Sequence, residues 1–198
     1  MWNERYATPD YVFGTEPADF LVRHAEFLQP GLKGLAVADG EGRNSTFMAE
    51  RGVETVAMDM SANALAKAKA LAEARGVTVT HHLSDMESWD WTPAAYDLVV
   101  AVFIQFLTPV ERARAFADMV TTLKPGGVLM LHGYRPEQLG YGTGGPKAEE
   151  NLYTEALLRE SFAGLEILAL ESADRVIEEG VGHSGISALI DLVARKPD

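Results

Sequence analysis

The chain has 198 residues, 47% of them hydrophobic and 23% charged, with a formal net charge of −12. That size and balance predict one globular domain around a single core. So acidic a chain, with no run of Lys or Arg, opposes binding to phosphate backbones and anionic lipid, so neither nucleic acid nor membrane is expected as a partner. Cysteine is absent, which excludes disulfides and thiolate chemistry. No apolar run reaches the ~20 residues of a membrane-spanning helix, and the start MWNERYATPD is too polar for a signal peptide. The expectation is a cytoplasmic protein acting on a small molecule, with nothing in the sequence that fixes its oligomeric state.

Strand-like apolar runs alternate with helical patterns, the signature of a parallel α/β sheet. Residues 18–28 (ADFLVRHAEFL) predict an amphipathic helix with Phe20, Leu21, His24, Phe27 and Leu28 near one face. A strand at 34–38 leads through a Gly-x-Gly loop to a helix from about Arg43 to Arg51, closed by Gly52. A second strand spans 55–59, and Ser61 caps a helix with Ala64, Leu65, Ala68, Leu71 and Ala72 on one face, ended by Gly76. Further strands are expected at 77–81 and, as a continuous apolar run, at 96–103. Thr108-Pro109-Val110-Glu111 is a capping box with Pro at the first helical position. Its helix runs to about Leu123, and the turn 124–127 leads to a strand at 128–132.

Residues 135–147 form a Gly/Pro-rich loop. A helix at 154–162 and strands near 165–171 and 187–194 complete the chain. The last connection is too short for a crossover and is expected to be irregular, which makes the final pair antiparallel. The expected fold class is therefore α/β, a Rossmann-like doubly wound, mostly parallel seven-stranded sheet with a C-terminal antiparallel strand pair. The expected organisation is a single domain over 1–198, with an N-terminal arm at 1–17 and substrate-side loops at 135–150 and 172–186.

The chemistry centres on Ala38-Asp39-Gly40-Glu41-Gly42. Glycines 40 and 42 suit positive φ or close backbone approach, and the helix starting at Arg43 and Asn44 offers unpaired N–H groups. The alternative is a tight turn with no ligand. Asp59 ends the second strand about twenty residues past the loop, where an acid accepts hydrogen bonds from ribose hydroxyls; a solvated Asp before a helix cap is the competing reading. Asp85 follows the third strand and can receive an adenine amino group, with Met86 against the ring, or be only a loop acid. A nicotinamide-binding oxidoreductase needs Gly or Ala at position 45 of the Gly-x-Gly-x-x-Gly pattern, and Ser45 stands there. A non-catalytic binding scaffold is the third possibility.

The segments ADGEGRN (38–44), VAMDMS (56–61), SDME (84–87), YDLVVAVFIQF (96–106) and LKPGGVLMLHGY (123–134) together resemble the class I S-adenosylmethionine-dependent methyltransferases. WNERY, YVFGTEPADFL, GEGRN and the tail GTGGPK…EEGVGHSG look like small bacterial members similar to the tellurite-resistance and thiopurine enzymes. The resemblance implies S-adenosylmethionine as cofactor, S-adenosylhomocysteine as product and in-line methyl transfer to a small-molecule acceptor. It implies cofactor contacts at Tyr11, Ala38, Asp39, Gly40, Gly42, Arg43, Asn44, Asp59, Met60, Asp85, Met86, Val102 and Phe103. Against the family pattern acid-x-Gly-x-Gly-x-Gly, this chain has Ala36 and Ala38 at the first two places, and Asp39 is the candidate substitute for the missing acid.

On the substrate side, His132 and His183 are the candidate general bases because imidazole titrates near neutrality, and Gln105 is a polar residue in an apolar run. Each has a structural alternative: a strand-end histidine packed for its shape, or a glutamine satisfying a backbone group. His81-His82 point to opposite faces of a strand, and no metal site is expected.

Overall fold

The computed structural model describes residues 2–180 and 182–198; Met1 of the predicted arm and Val181 of the 172–186 connection lie outside them. Seven strands form a mostly parallel sheet in the order β3-β2-β1-β4-β5-β7-β6, the α/β class expected from the alternation. The chain divides into two compact units, the first running to Trp89 and adding Glu179–Gly182, the second holding the remainder.

In the first unit α1 (Trp2–Arg5) and α2 (Asp19–Arg23) precede β1 (Lys33–Val37). Then come α3 (Arg43–Glu50), β2 (Glu54–Asp59), α4 (Ala62–Ala74) and β3 (Val79–Leu83). The three strands are parallel, with Ala36 beside Ala57 and Asp59 beside Leu83. Small residues at 36 and 57 suit two strands buried on both faces. The Ser61 hydroxyl accepts from Ala64 N and caps α4 as expected. The third strand starts two residues late because Val77 N donates to Ala72 O and Gly76 holds φ 68°, which closes α4 first.

The predicted helix 18–28 is instead α2 followed by a single 3-10 turn at Ala25–Phe27. His24 breaks it at φ −113°, ψ 27°, with its ring edge-on to Phe20 at 5.2 Å. Phe20, Leu21 and Leu28 are buried all the same, so the apolar spacing reported burial rather than helix length.

The second unit contains β4 (Tyr96–Val102), α5 (Pro109–Thr122), β5 (Leu123–Tyr134) and α6 (Glu155–Ser161). The long strands β6 (Glu166–Glu179) and β7 (His183–Arg195) follow. The Thr108–Glu111 capping box forms in full. Residues 124–127 stay in β5 as an irregularity in its register with β4. β7 runs antiparallel to β5, from Val128 opposite Arg195 to Tyr134 opposite Leu189.

The irregular connection expected at 172–186 is a correction: both strands extend through it and meet near Gly180, at φ 68°. Its charged residues masked a two-residue alternation in which Ile177 is buried while Val176 is 71% exposed. The Gly-rich segment 135–150 holds two 3-10 turns, Pro136–Gly140 and Glu149–Asn151. Buried Gln138 pins it, donating to Thr143 Oγ1 (3.0 Å) and Gly144 O (3.1 Å) and accepting from Ala188 N (2.8 Å). Among the described residues no helix is long and apolar enough to cross a membrane.

Candidate active site

The loop from β1 to α3 lies at the carboxyl end of a parallel strand, where open α/β sheets hold ligands. Ala38, Gly40 and Gly42 all have positive φ, at 47°, 62° and 88°. For alanine this conformation costs about 1–2 kcal/mol. The two glycines are required for different reasons. Gly40 N donates to Asp59 Oδ2 at 2.8 Å, and a Cβ there would stand 3.0 Å from the Tyr6 hydroxyl. A Cβ on Gly42 would come within 2.6 Å of the Cβ and 2.7 Å of the Cα of Ala68 in α4. Gly42 therefore serves helix packing.

Two carboxylates flank this loop. Asp59 is buried; besides Gly40 N it accepts Ser61 N on Oδ1 at 2.8 Å. Burial raises its pKa, against the backbone donors of Ser61, Gly40 and Met60. Asp39 accepts Ser45 Oγ (2.5 Å) and Ser45 N (3.2 Å), one on each oxygen. Burial pushes Asp39 up to about 7, the Ser45 hydrogen bonds oppose it, and the charge of Asp59 adds to the rise. Ser45, which breaks the dinucleotide glycine pattern, is thus the residue that ties Asp39 to the start of α3.

Glu41, unremarked in the sequence reading, is buried and clamps the arm. Its Oε2 accepts Val12 N (2.8 Å) and Phe13 N (3.3 Å), and its Oε1 pairs with Lys67 Nζ at 2.7 Å. Asn44 Oδ1 accepts Ala18 N at 3.0 Å, and Arg43 pairs with Glu179 at 2.7 Å. Tyr11 donates its hydroxyl to Lys67 O at 3.0 Å. Three residues expected at the cofactor, Tyr11, Arg43 and Asn44, therefore hold chain segments together, while Tyr6 is the aromatic residue that meets the loop. These partners are far apart in sequence, and no local pattern announces them.

At the neighbouring strand ends, Met60 and Leu83 are 57% and 63% exposed, and Leu83 is in register with Asp59. Large apolar side chains beside a buried acid suit a nucleoside: a ring on the apolar face and hydroxyls on the carboxylate. Asp85 is exposed; its Oδ1 accepts Ser88 N at 2.7 Å, which lowers its pKa. Met86, half-buried, follows it on the same turn. Two acids whose burial disfavours their own charge also suit a ligand carrying an ammonium and a sulfonium. The residues present fit S-adenosylmethionine.

In the second unit Val102 ends β4 and pairs with His132. Phe103 follows at φ 56°, an uncommon conformation for a bulky residue. Its ring lies 4.7 Å from His132, 4.6 Å from Tyr134 and 4.3 Å from His183. The two candidate histidines thus share one aromatic cluster. Gln105 does not join them. A Cβ on Gly133 would meet Gln105 Oε1 at 2.6 Å, and Gly133 faces away from His132 by strand alternation. Gln105 accepts Tyr134 N (2.6 Å) and donates to Tyr134 O (2.8 Å) and Asn151 O (3.1 Å), the structural role left open by the sequence.

The fold is similar to that of S-adenosylmethionine-dependent methyltransferases of known structure. Residues 35–127 match the Methyltransferase domain model. The Escherichia coli K12 tRNA 5-carboxymethoxyuridine methyltransferase is 32% identical over 120 residues, 58% of this chain and 45% of that protein. A Haemophilus influenzae protein is 30% identical over 123 residues, 60% of this chain and 49% of its own length. The chain spans about half the length of these curated relatives. Among solved structures, TehB from Haemophilus influenzae superimposes with TM-score 0.72 at 18% identity, covering 98% of this chain and 65% of TehB. Magnesium protoporphyrin IX methyltransferase from Synechocystis, with bound SAH, gives 0.66 at 17%, covering 90% of this chain and 78% of that chain. At these identities the likeness is one of fold.

Proposed function

We propose that the chain transfers a methyl group from S-adenosylmethionine to a small-molecule acceptor by in-line displacement, with the whole chain acting as one methyltransferase domain. The observation that carries this reading is the loop 38–42 tied to Asp59, with exposed Met60 and Leu83 beside it. Asp59 accepts the ribose hydroxyls, and Met60, Asp85 and Met86 border the adenine. Asp39 takes the part of the acid missing at Ala36 and holds the methionine ammonium, and the backbone of Ala38, Gly40 and Gly42 follows the methionine portion. When bound, the cofactor supplies an electrophilic methyl carbon on a sulfonium. The protein orients the partners and excludes water. The charge of −12 favours a small acceptor over a polyanion, although one relative carries a tRNA methyltransferase name.

Thermal unfolding with S-adenosylmethionine, S-adenosylhomocysteine, NAD and NADP tests the reading. The two S-adenosyl ligands should stabilise the protein, by about 2.7 kcal/mol at a hundredfold excess over Kd, and the nicotinamides should not. A shift with NAD alone points to an oxidoreductase, and no shift with any of them removes the cofactor site.

A further inference from the structure

The loop 38–42 has spent most of its own donors. Ala38 N donates to Met58 Sδ at 3.2 Å and Asp39 N to Met58 O at 3.1 Å. Gly40 N is held by Asp59 Oδ2 at 2.8 Å, and Gly42 N by Asp39 O at 3.4 Å. The cations beside the loop are engaged as well, Arg43 with Glu179 and Lys67 with Glu41. A donor at the loop remains uncommitted. Tyr6 is only 6% exposed, and its hydroxyl lies over Gly40, where an added Cβ would stand 3.0 Å from it. Its ring is fixed by stacking on Trp2 at 5.9 Å and by edge contact with Phe13 at 6.2 Å. Among the described residues the hydroxyl makes no hydrogen bond, and a polar group this buried is costly to leave without a partner. Burial and the charges of Asp59 and Glu41 raise its pKa well above the ordinary phenol value; Arg5 opposes the rise and Asp39 adds to it. At neutral pH it is therefore a neutral donor among acids. All these groups lie in the first compact unit.

We propose that the Tyr6 hydroxyl donates to the carboxylate of the cofactor's methionine portion, and that this contact makes the site select ligands bearing the complete amino acid over those without the carboxylate. The inference rests on the S-adenosylmethionine reading of the site. The methionine portion carries an ammonium and a carboxylate on one carbon. Asp39, Glu41 and Asp59 favour the first and repel the second. Backbone N–H groups are the usual answer to an anion at such a loop, and here they are taken. A protonated phenol supplies the missing donor without adding charge, and a hydrogen bond to a carboxylate is stronger than one between neutral groups. Because the ammonium and the carboxylate share a carbon, their partners must be neighbours. Asp39 is adjacent in the chain to Gly40, the residue beneath the Tyr6 hydroxyl. Arg5 is exposed, its guanidinium 5.2 Å from the centre of the Trp2 ring and 5.1 Å from that of Phe13, so water and salt screen its charge.

Calorimetry on the full chain and on its Tyr6→Phe variant compares S-adenosylhomocysteine with S-adenosyl-3-thiopropylamine, the same molecule without its carboxylate. The wild type should bind S-adenosylhomocysteine at least about tenfold more tightly than the amine. Tyr6→Phe should weaken S-adenosylhomocysteine by about ten- to a hundredfold, leave the amine within about threefold and so erase the preference. Without ligand, the variant should resist urea at least as well as the wild type, because it loses a hydroxyl that has no partner. Unchanged affinity of the variant for S-adenosylhomocysteine overturns the proposal. So does an equal loss for both ligands, the mark of a ring that only supports the loop, and so does a marked loss of stability, which would reveal an internal partner for the hydroxyl. If the wild type binds neither ligand, the S-adenosylmethionine reading itself falls, a result separate from a missing preference between them.

Discussion

At single positions the chain trades conformational comfort for placement. Ala38 holds φ 47° where glycine would be at ease. Ala38→Gly should therefore raise stability by about 1 kcal/mol, the relief of left-handed strain less the greater freedom glycine has when unfolded. Urea unfolding checks this, and a loss of stability would show that the Ala38 methyl is needed for packing. Asp39 carries a pH dependence of definite sign. Its carboxyl is pushed up to about 7 by burial, so near neutrality it is partly protonated. An ammonium bound beside it favours the carboxylate and lowers that value. S-adenosylmethionine binding should then release protons at pH 6–7, and affinity should rise with pH until Asp39 is ionised in the free protein. Calorimetry in two buffers of different ionisation enthalpy measures the release. Asp39→Asn should abolish it, and equal release in both proteins would place the ammonium elsewhere.

Among the elements, the N-terminal arm is held by side chains whose role its sequence does not announce, Glu41 foremost. Glu41 accepts two arm N–H groups and pairs with Lys67, itself mostly buried, with side-chain exposures of 2% and 14% for the pair. Glu41→Gln leaves the Lys67 ammonium without its countercharge and weakens both arm contacts, at a cost of about 1–3 kcal/mol. Hydrogen exchange should show the amides of Val12 and Phe13 exchanging at least about tenfold faster, with those of β1 and β2 unchanged. Equal acceleration in the strands would mean that Glu41 supports the whole unit rather than the arm. The late hairpin shows the opposite tendency: β6 and β7 are long, yet charge along 172–179 concealed their alternation.

For the whole molecule, legibility followed the range of the interactions. The Ser61 cap, the Thr108–Glu111 box and the α/β alternation depend on neighbours in sequence, and they were readable. The place of Asp59 at the end of β2 was readable because its distance past the loop is set by one βαβ unit. Glu41 and Asp191 were not, since their partners Val12 and His132 are remote in the chain and meet only once the sheet is built. His24 ended a helix through ring packing, which periodicity does not encode. Gly42 carries a lesson about descent. Its side-chain space is filled by the backbone of another helix as well as by the methyl of Ala68, so no lone substitution at either position frees it. A descendant that bound no ligand at this loop would still inherit this glycine. The second glycine of the loop would then persist as a fossil of packing, and its presence in a distant sequence testifies to the fold rather than to the trade its ancestor practised.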